Sequence, residues 1–368
     1  MRTVRRLFYT DIVSSVAFVA AAFLALFFFI DFVDELGSIG QRGYTALHAA
    51  VYSLLLAPGH FYELMPIAVL IGTIYALARL AQSSQYTILR TGGLGPGRAL
   101  WLLTSLALVF GLVTFLCGDY LAPISERLAS QLHASFSGSL KLDRAGAWIK
   151  EHGKTPEGER SYSINVGSAE GGSVLRDVRI FEFDADGRLL SRTAAAGVEV
   201  ARNGVWTLRD AVVTRWTEAG ANSTVKDEKF ATLEWPSSLS PKVVAAAVLP
   251  VTTMSTLELW RYIDHLSDNE QAAQLQKIQF WKRALYPFAC LVMVGLALPF
   301  AYLSARSGGL SLKVFMGIML GVSFVLLNNV FGHLGLLGDW TPWLVAAAPG
   351  ALYLGLSLAA FSWLVRYR

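Results

Sequence analysis

The side chains that could bind a metal ion or act as catalysts are scattered along this chain. The glycine-rich run at 92–98 lacks the Gly-Lys-Ser/Thr ending of a phosphate-binding loop. There is no Gly-x-Ser-x-Gly nucleophile motif and no His-Glu-x-x-His zinc motif. None of the six histidines has the spacing of a metal-ligand pair: His48, His60, His133, His152, His265 and His333. The sequence therefore indicates a non-catalytic chain that binds no metal and no cofactor of its own.

Long apolar segments are the elements that dominate the sequence. A helix needs about 20 mostly apolar residues to cross a bilayer. Hydrophobic residues make up 54% of the 368 residues, whereas charged residues make up only 16%. We therefore predict a polytopic membrane protein with six spans, at 12–32, 61–80, 99–121, 284–303, 314–331 and 343–365.

Basic residues beside the spans predict the orientation of the chain. Arg5 and Arg6 precede the first span, Arg79 and Arg90 lie between the second and third, and Lys313 lies between the fourth and fifth. Because Lys and Arg gather on the cytoplasmic side, both termini are predicted to be cytoplasmic. The first span exceeds the 7–15-residue core of a signal peptide, so we expect an uncleaved anchor rather than a cleaved leader.

Residues 139–243, between the third and fourth spans, are predicted to form an all-β domain on the periplasmic side. Apolar residues alternate there with polar ones, as at Ile164 and Val166. An Asp-Gly pair at 186–187 and an Asn-Gly pair at 203–204 separate such runs, as expected of tight hairpins. We predict a sandwich or open jelly roll of roughly eight to ten strands.

The interior of this β-domain has two interpretations. Phe181, Phe183 and Trp206 are candidates for its interior. They could fill a closed core, or two splayed sheets could hold acyl chains between their apolar faces. Acidic and basic residues balance in this segment, so it carries no electrostatic sign of nucleic-acid binding.

The remaining segments complete a three-plus-three arrangement of transmembrane helices around the inserted jelly-roll domain. Residues 1–138 would hold the first three helices and 244–368 the last three. Leu257, Trp260, Ile263 and Leu266 have helical spacing and predict an interfacial helix before the fourth span. In the fifth span, the small residues at 317 and 321 permit close helix packing, and Asn328 could hydrogen-bond a neighbouring helix. Prolines at 287, 299 and 349 predict kinks.

The cytoplasmic stretch at 82–91 is predicted to be a short helix that ends at the glycine pair 92–93. Gln85, Tyr86, Leu89 and Arg90 would lie near its exposed face. A plain surface loop and a docking helix for a cytoplasmic partner both fit this composition.

Several short motifs, taken in order along essentially the whole chain, resemble the LptF/LptG family of lipopolysaccharide export permeases. The similarity is greater to the LptG branch of that family. The motifs are Phe32-Val33-Asp34-Glu35-Leu36, Leu80-Ala81-Gln82, Leu121-Ala122-Pro123 with Glu126, Trp281-Lys282 with Pro287, and Phe331-Gly332 followed by Pro342 and Pro349.

The resemblance implies a permease subunit of an ATP-driven ABC transporter. Such a transporter extracts lipopolysaccharide from the outer leaflet of the inner membrane and passes it to a periplasmic bridge. The implied partners are an LptF-like permease subunit, an LptB-like ATPase dimer that binds ATP and Mg²⁺, and an LptC-like single-span protein. The implied wall of the lipid cavity is at the outer end of the first span, at Phe27, Phe28, Ile30, Asp31 and Asp34.

The chain departs from the family at the positions that would bind lipid phosphates. The family places lysines at the outer end of the first span, whereas this chain has acids such as Asp31. Acids would repel phosphate unless Arg42 or a divalent cation compensates. Arg42, Lys141 and Arg144 are therefore the candidates for phosphate contacts, together with the partner subunit.

Other functional classes fit the sequence less well. A permease of another ABC exporter, for lipoproteins or other lipidic substrates, is the alternative; such permeases generally have four spans with the large domain after the first. A membrane-bound enzyme would need a convergent acid, base or metal constellation, and a sensor would need a cytoplasmic output domain.

We predict that Leu89→Asp abolishes ATP-driven transport while the membrane bundle stays folded, because a charge replaces the apolar contact to the ATPase. ATPase activity and lipid transport measured in proteoliposomes with the partner subunits test this. Normal coupling in the variant would refute the docking assignment.

Overall fold

The computed structural model describes residues 2–83, 96–137, 140–141, 147–155, 158–170, 174–200, 205–219, 222–237, 239, 254–268, 273–302 and 309–366. The chain forms two compact units. The membrane unit comprises Met1–Gly37, Ala49–Glu126 and Gln274–Arg368, and the β-unit comprises Ser38–His48 and Arg127–Ala273.

Nine α-helices lie in the described residues, and six helical stretches are long and apolar enough to cross a membrane, as predicted. A π-helical turn, Cys117–Leu121, joins α3 to α4 without a break. The helices are α1 (Arg2–Glu35), α2 (Ala46–Gln82), α3 (Pro96–Leu116), α4 (Ala122–Ser137), α5 (Thr256–Asp268), α6 (Gln274–Ala297), α7 (Pro299–Tyr302), α8 (Leu310–Leu337) and α9 (Pro342–Arg366).

The start of α2 differs from the sequence prediction, whereas the predicted kink at Pro299 is present. Helix α2 begins at Ala46 rather than near 61 and contains Pro58 without a break in its assignment. Thr45 directly precedes α2. Its N–H donates to Nδ1 of His48 at 3.1 Å, and this hydrogen bond satisfies an amide that the helix leaves unpaired. At the other end of the bundle, Pro299 separates α6 from the short α7, in agreement with the predicted kink.

Glycines set the closest approaches between helices of the membrane unit. A Cβ on Gly72 of α2 would lie 2.6 Å from the backbone Cα of Val16 on α1. Cβ atoms on Gly317 and Gly321 of α8 would lie 2.7 Å from Ile74 Cδ1 and 3.0 Å from Ile67 Cγ2 of α2. The predicted small-residue contact is thus confirmed, and α2 is held between α1 and α8.

The described strands of the β-unit form one antiparallel sheet of seven strands in the order β1-β3-β4-β5-β6-β7, and β2 pairs with the same edge of β3 as β1. The strands are β1 (Leu140–Lys141), β2 (Ala147–Thr155), β3 (Gly158–Glu170), β4 (Val174–Phe183), β5 (Leu189–Val200), β6 (Val205–Ala219) and β7 (Asn222–Pro236). The predicted hairpin at 186–187 is present, and Gly187 has a φ of 77°.

A crease crosses this sheet from β3 to β7. The strand pairing skips one residue on each strand, at Gly167, Asp177, Ala196, Asp210 and Ala231. Asp177 and Asp210 adopt the left-handed φ values of 53° and 50°, which short polar residues tolerate better than most others. The skipped residue reverses the alternation of inward and outward side chains along each strand. Apolar residues therefore point inward on both sides of the crease.

The crease folds the sheet into two facing halves. Tyr162, on one half of β3, meets Trp235, on the other half of β7, with ring centroids 5.4 Å apart. The core between the halves consists of Ile149, Ile164, Val166, Leu175, Val178, Ile180, Ala195, Val198, Val200, Trp206, Leu208, Ala211 and Leu239. The jelly-roll class is therefore confirmed, but long strands shared by both halves replace the larger number of short strands that we expected.

We predict that Gly72→Ala destabilises the membrane unit, whereas Gly355→Ala on α9 does not. The new methyl group at 72 would meet backbone atoms of α1, which cannot rotate away, and overpacking of this kind costs about 1–3 kcal/mol. At Gly355 nothing lies within 4 Å of the added Cβ. Thermal unfolding of both variants in detergent is the measurement, and an equal midpoint would refute the close contact of α1 with α2.

Candidate functional site

The C-terminal end of α1 presents apolar surface, as the cavity-wall prediction requires. Phe28 and Ile30 are 36% and 42% exposed, and Phe29 is exposed beside them. Phe27 differs, because its ring packs on His60 of α2 at a centroid distance of 4.8 Å. The exposed apolar residues at this end of α1 are therefore Phe28, Phe29 and Ile30, whereas Phe27 packs on α2; their place in a cavity wall remains a prediction.

The Asp31 carboxylate has a partner on α2. Its carboxylate lies 2.8 Å from Nε2 of His60, and both side chains are largely buried. Asp34, one helical turn further, is exposed. The described residues contain no group of three or more His, Cys, Asp or Glu side chains arranged to bind a metal ion.

Polar and aromatic contacts connect α2, α6 and the π-helical turn. The Tyr286 hydroxyl of α6 donates to the backbone carbonyl of Glu63 on α2. The Tyr286 ring packs on Tyr62 at 4.7 Å. Gly118, in the π-helical turn, faces the Tyr62 ring so closely that a Cβ there would lie 2.1 Å away. The π-helical turn thus makes room for a tyrosine pair between the helices.

Lys282 joins α6 to α8. Its ammonium donates to the backbone carbonyl of Asn328 at 2.9 Å. Gly332, one turn later on α8, leaves space for that ammonium, because a Cβ there would lie 2.3 Å from Lys282 Nζ. The polar helix contact anticipated at Asn328 therefore uses its main chain and a lysine of α6.

The structure describes two of the three candidates for phosphate contacts, and their role remains a prediction. Arg42 is exposed, with a left-handed φ of 46°, in the loop that belongs to the β-unit. Lys141 lies in the short strand β1, and Arg144 lies outside the described residues.

The proposed ATPase-docking residues Gln85, Tyr86, Leu89 and Arg90 also lie outside the described residues. The described residues end at Ser83, just after α2, and begin again at Pro96 with α3. Docking by this stretch remains a prediction.

Only one of the three predicted interior residues of the β-unit lies in its core. Trp206 is fully buried, and its indole N–H donates to the backbone carbonyl of Leu239 at 3.4 Å. The prediction for Phe181 and Phe183 was wrong: both are half-buried and alternate with Ile180, which takes the core position. Side chains of neighbouring strand residues point to opposite faces, so Phe181 and Phe183 lie on the outer face.

An ion pair connects the two helices that flank the β-strands. The Arg127 guanidinium of α4 donates to the Glu258 carboxylate of α5. Glu258 also accepts from the backbone N–H of Ser255 at 2.9 Å, in a capping box at the start of α5. Burial by itself raises the pKa of Glu258, but the hydrogen bonds from Ser255 and Arg127 outweigh it, and its pKa lies below the ordinary value.

The amphipathic helix α5 divides its apolar residues between two faces. Ile263 and Leu266 are buried, whereas Leu257 and Trp260 are 54% and 52% exposed. An exposed tryptophan and leucine on one face suit a helix that lies at a membrane surface.

Sequence reasoning missed the partners of the charged groups. His60 lies far from the other histidines in the sequence, but an ionisable residue inside a long apolar helix is itself a signal of a specific partner. The same signal was available at Glu63 and Arg283, which lie in candidate spans. No local pattern indicates the Arg127 ion pair, since its partner lies 131 residues away.

We predict that His60→Ala destabilises the membrane unit more than Asp31→Ala does. The first change leaves a carboxylate, 16% exposed, without its partner, whereas a neutral imidazole loses less when its acceptor is removed. Removing one partner of a buried pair costs about 1–3 kcal/mol, and adding Asp31→Asn to His60→Ala should restore most of that loss. Thermal unfolding of the three variants tests this; equal losses in both single variants would contradict it.

The chain is similar to proteins of one known family. The family described as "Lipopolysaccharide export system permease LptF/LptG" matches residues 6–364. The lipopolysaccharide export system permease protein LptG of Escherichia coli strain K12 is 27% identical over 335 residues, which cover 89% of each chain. The protein of the same name from Haemophilus influenzae is 26% identical over 311 residues, covering 83% of this chain and 82% of the relative. With its family match extending over nearly all residues, the chain belongs to the LptF/LptG family.

Proposed function

We propose that the chain is one of two permease subunits of an ATP-driven exporter that extracts lipopolysaccharide from the outer leaflet of the inner membrane. The observation that carries this proposal is a creased β-unit with an apolar interior, inserted between the third and fourth of six candidate spans. The names of the LptG relatives, which are lipopolysaccharide export permeases, support it. The β-unit would receive the lipid and pass it to a periplasmic bridge.

The basic residues beside the spans support cytoplasmic termini and a periplasmic β-unit. In this orientation the stretch at 82–91 faces the cytoplasm, where an LptB-like ATPase dimer would dock. ATP and Mg²⁺ would be bound by that dimer, since the sequence has no phosphate-binding loop. An LptC-like single-span protein would complete the assembly.

The uneven burial of the spans supports pairing with an LptF-like permease. In the most apolar window of each span, 72% of the residues of α2 are buried but only 6% of those of α1. A span left so open within its own chain must face lipid or another subunit. A second permease opposite α1 would enclose a cavity lined by Phe28 and Ile30.

A lined cavity addresses the main energetic obstacle to lipid export. Each methylene that leaves an apolar environment for water costs about 0.8 kcal/mol. Lifting a lipid with several acyl chains bare into water would therefore cost on the order of tens of kcal/mol. Apolar contacts along α1 and inside the β-unit would replace those of the bilayer, and ATP hydrolysis by the partner would drive the remaining uphill step.

Photo-crosslinking in proteoliposomes with the partner subunits tests the route. We expect lipopolysaccharide adducts from a probe at Phe28 without ATP, and from a probe at Tyr162 only with ATP. Tyr162 is half-buried and packs against the core of the β-unit. A probe at Val225, which is 61% exposed on the outer face of β7, serves as the control in the same unit.

Adducts at Tyr162 that depend on ATP, with none at Val225, would support passage of acyl chains through the interior. Adducts at neither Phe28 nor Tyr162, in an intact and ATP-hydrolysing complex, would refute this chain's part in the lipid path.

A further inference from the structure

The outer face of the β-unit carries an aromatic and cationic surface that lies outside the core formed by the described residues. Trp148 of β2 is 55% exposed and stacks on Phe181 of β4, with ring centroids 5.9 Å apart and an interplanar angle of 23°. The two rings extend across β3, where Ser163 and Asn165 occupy the same face. A stacked aromatic pair on a solvent-facing sheet contributes nothing to the core behind it.

Three cations surround these rings. Arg192 of β5 is the direct cross-strand neighbour of Phe181. Arg179 lies two residues before Phe181 on the same face, and Lys150 lies two strands away in the same row. We name the set Trp148, Lys150, Arg179, Phe181 and Arg192 the outer platform.

The cations of the outer platform have no acidic partner among the described residues. None of the described ion pairs includes Lys150, Arg179 or Arg192. Nε of Arg192 is buried without a hydrogen-bond acceptor in the described part of the chain. Lys150, Phe181 and Arg192 lie in one row of cross-strand neighbours, and Trp148 and Arg179 lie in the next. The first carboxylate along these two rows is Asp227 of β7, which already accepts a hydrogen bond from Thr214 at 2.7 Å. The surface is therefore complementary to an anionic ligand.

The size of the outer platform favours a small ligand over a protein. Adjacent strands lie about 4.8 Å apart, so Lys150, Phe181 and Arg192 span roughly 14 Å, and two residues along β4 add roughly 7 Å. The resulting footprint is of order 100 Å², far below the ~800 Å² that each partner buries in a stable protein interface. Aromatic faces stack on the C–H face of a sugar ring, and guanidinium groups form paired hydrogen bonds with phosphate oxygens.

We propose that the outer platform binds the phosphorylated saccharide part of the exported glycolipid. Trp148 stacks on a sugar ring, Arg179 and Arg192 bind phosphate, and the polar floor at Ser163 faces hydroxyl groups. This proposal rests on the proposed function, because it assigns the anionic sugars of the same lipid to the face opposite the acyl-chain interior. It gives the β-unit two binding faces with different chemistry.

The test uses the full-length chain in nanodiscs of zwitterionic lipid and a fully deacylated lipopolysaccharide that retains its phosphates. Saturation-transfer NMR and titration measure binding. We expect Trp148→Ala and the double variant Arg179→Gln/Arg192→Gln each to weaken binding roughly tenfold or more. Trp148→Phe should retain most of the affinity because it keeps an aromatic face. Arg215→Gln is the matched control, since Arg215 pairs with the inward-facing Ser191 and so lies on the opposite face of the sheet.

Removal of the phosphates should weaken binding to the wild-type chain and make the arginine variants indistinguishable from it. Unchanged affinity in the tryptophan and arginine variants would overturn the proposal. So would vesicles of anionic phospholipid that bind in place of the saccharide and lose binding in the same variants, because the ligand would then be the bilayer. Lipid adducts at Tyr162 without any saccharide binding would overturn this proposal and leave the proposed function intact.

Discussion

Close approach at glycine is the constraint on which the membrane unit depends. Apolar side chains gain little by leaving lipid for another helix, so helices associate in a bilayer through tight packing and a few polar links. Gly72 admits the backbone of α1, and Gly317 and Gly321 admit isoleucines of α2. Between α3 and α6, a Cβ on Gly111 would lie 2.9 Å from the carbonyl oxygen of Pro287. These contacts fix which face of each helix is covered and hence which face remains for lipid or a partner.

Polar contacts between helices also fix how the helices of the membrane unit pack. Asp31 contacts His60 at 2.8 Å where α1 meets α2, and Lys282 is accommodated by a glycine and a main-chain carbonyl of α8. Each charge is thereby matched with a specific acceptor or donor on a neighbouring helix, which keeps a costly group in an apolar setting. The contact of Phe27 with His60 connects this polar pair to the aromatic end of α1. Phe28 and Ile30, beside this contact, remain exposed.

The sequence allowed the architecture to be predicted but not the details of the sites. Hydropathy over about 20 residues and alternation along strands are local signals, so the six spans and the inserted β-domain could be found from them. Alternation could not say whether Ile180 or Phe181 faces inward, because both are apolar and adjacent, and the larger residue took the outer face. The crease was hidden because its extra residue, such as Asp210, looks like a break between two short strands. The His60 partner of Asp31 depends on how α1 packs on α2, which no local pattern encodes.

The crease also explains how one sheet can carry two chemistries. A flat sheet with one apolar face would leave that face exposed to water, whereas folding it at Asp177 and Asp210 buries the apolar side of both halves against each other. This burial depends on the reversed alternation of side chains at the crease. Without the reversal, the apolar residues of one half would point outward. The apolar core residues therefore lie on the inner face on both sides of the crease, and the outer platform lies on the other face. An amphiphile with acyl chains and anionic sugars has the same two chemistries: the apolar core between the halves matches its acyl chains, and the cationic surface behind one half matches its sugars.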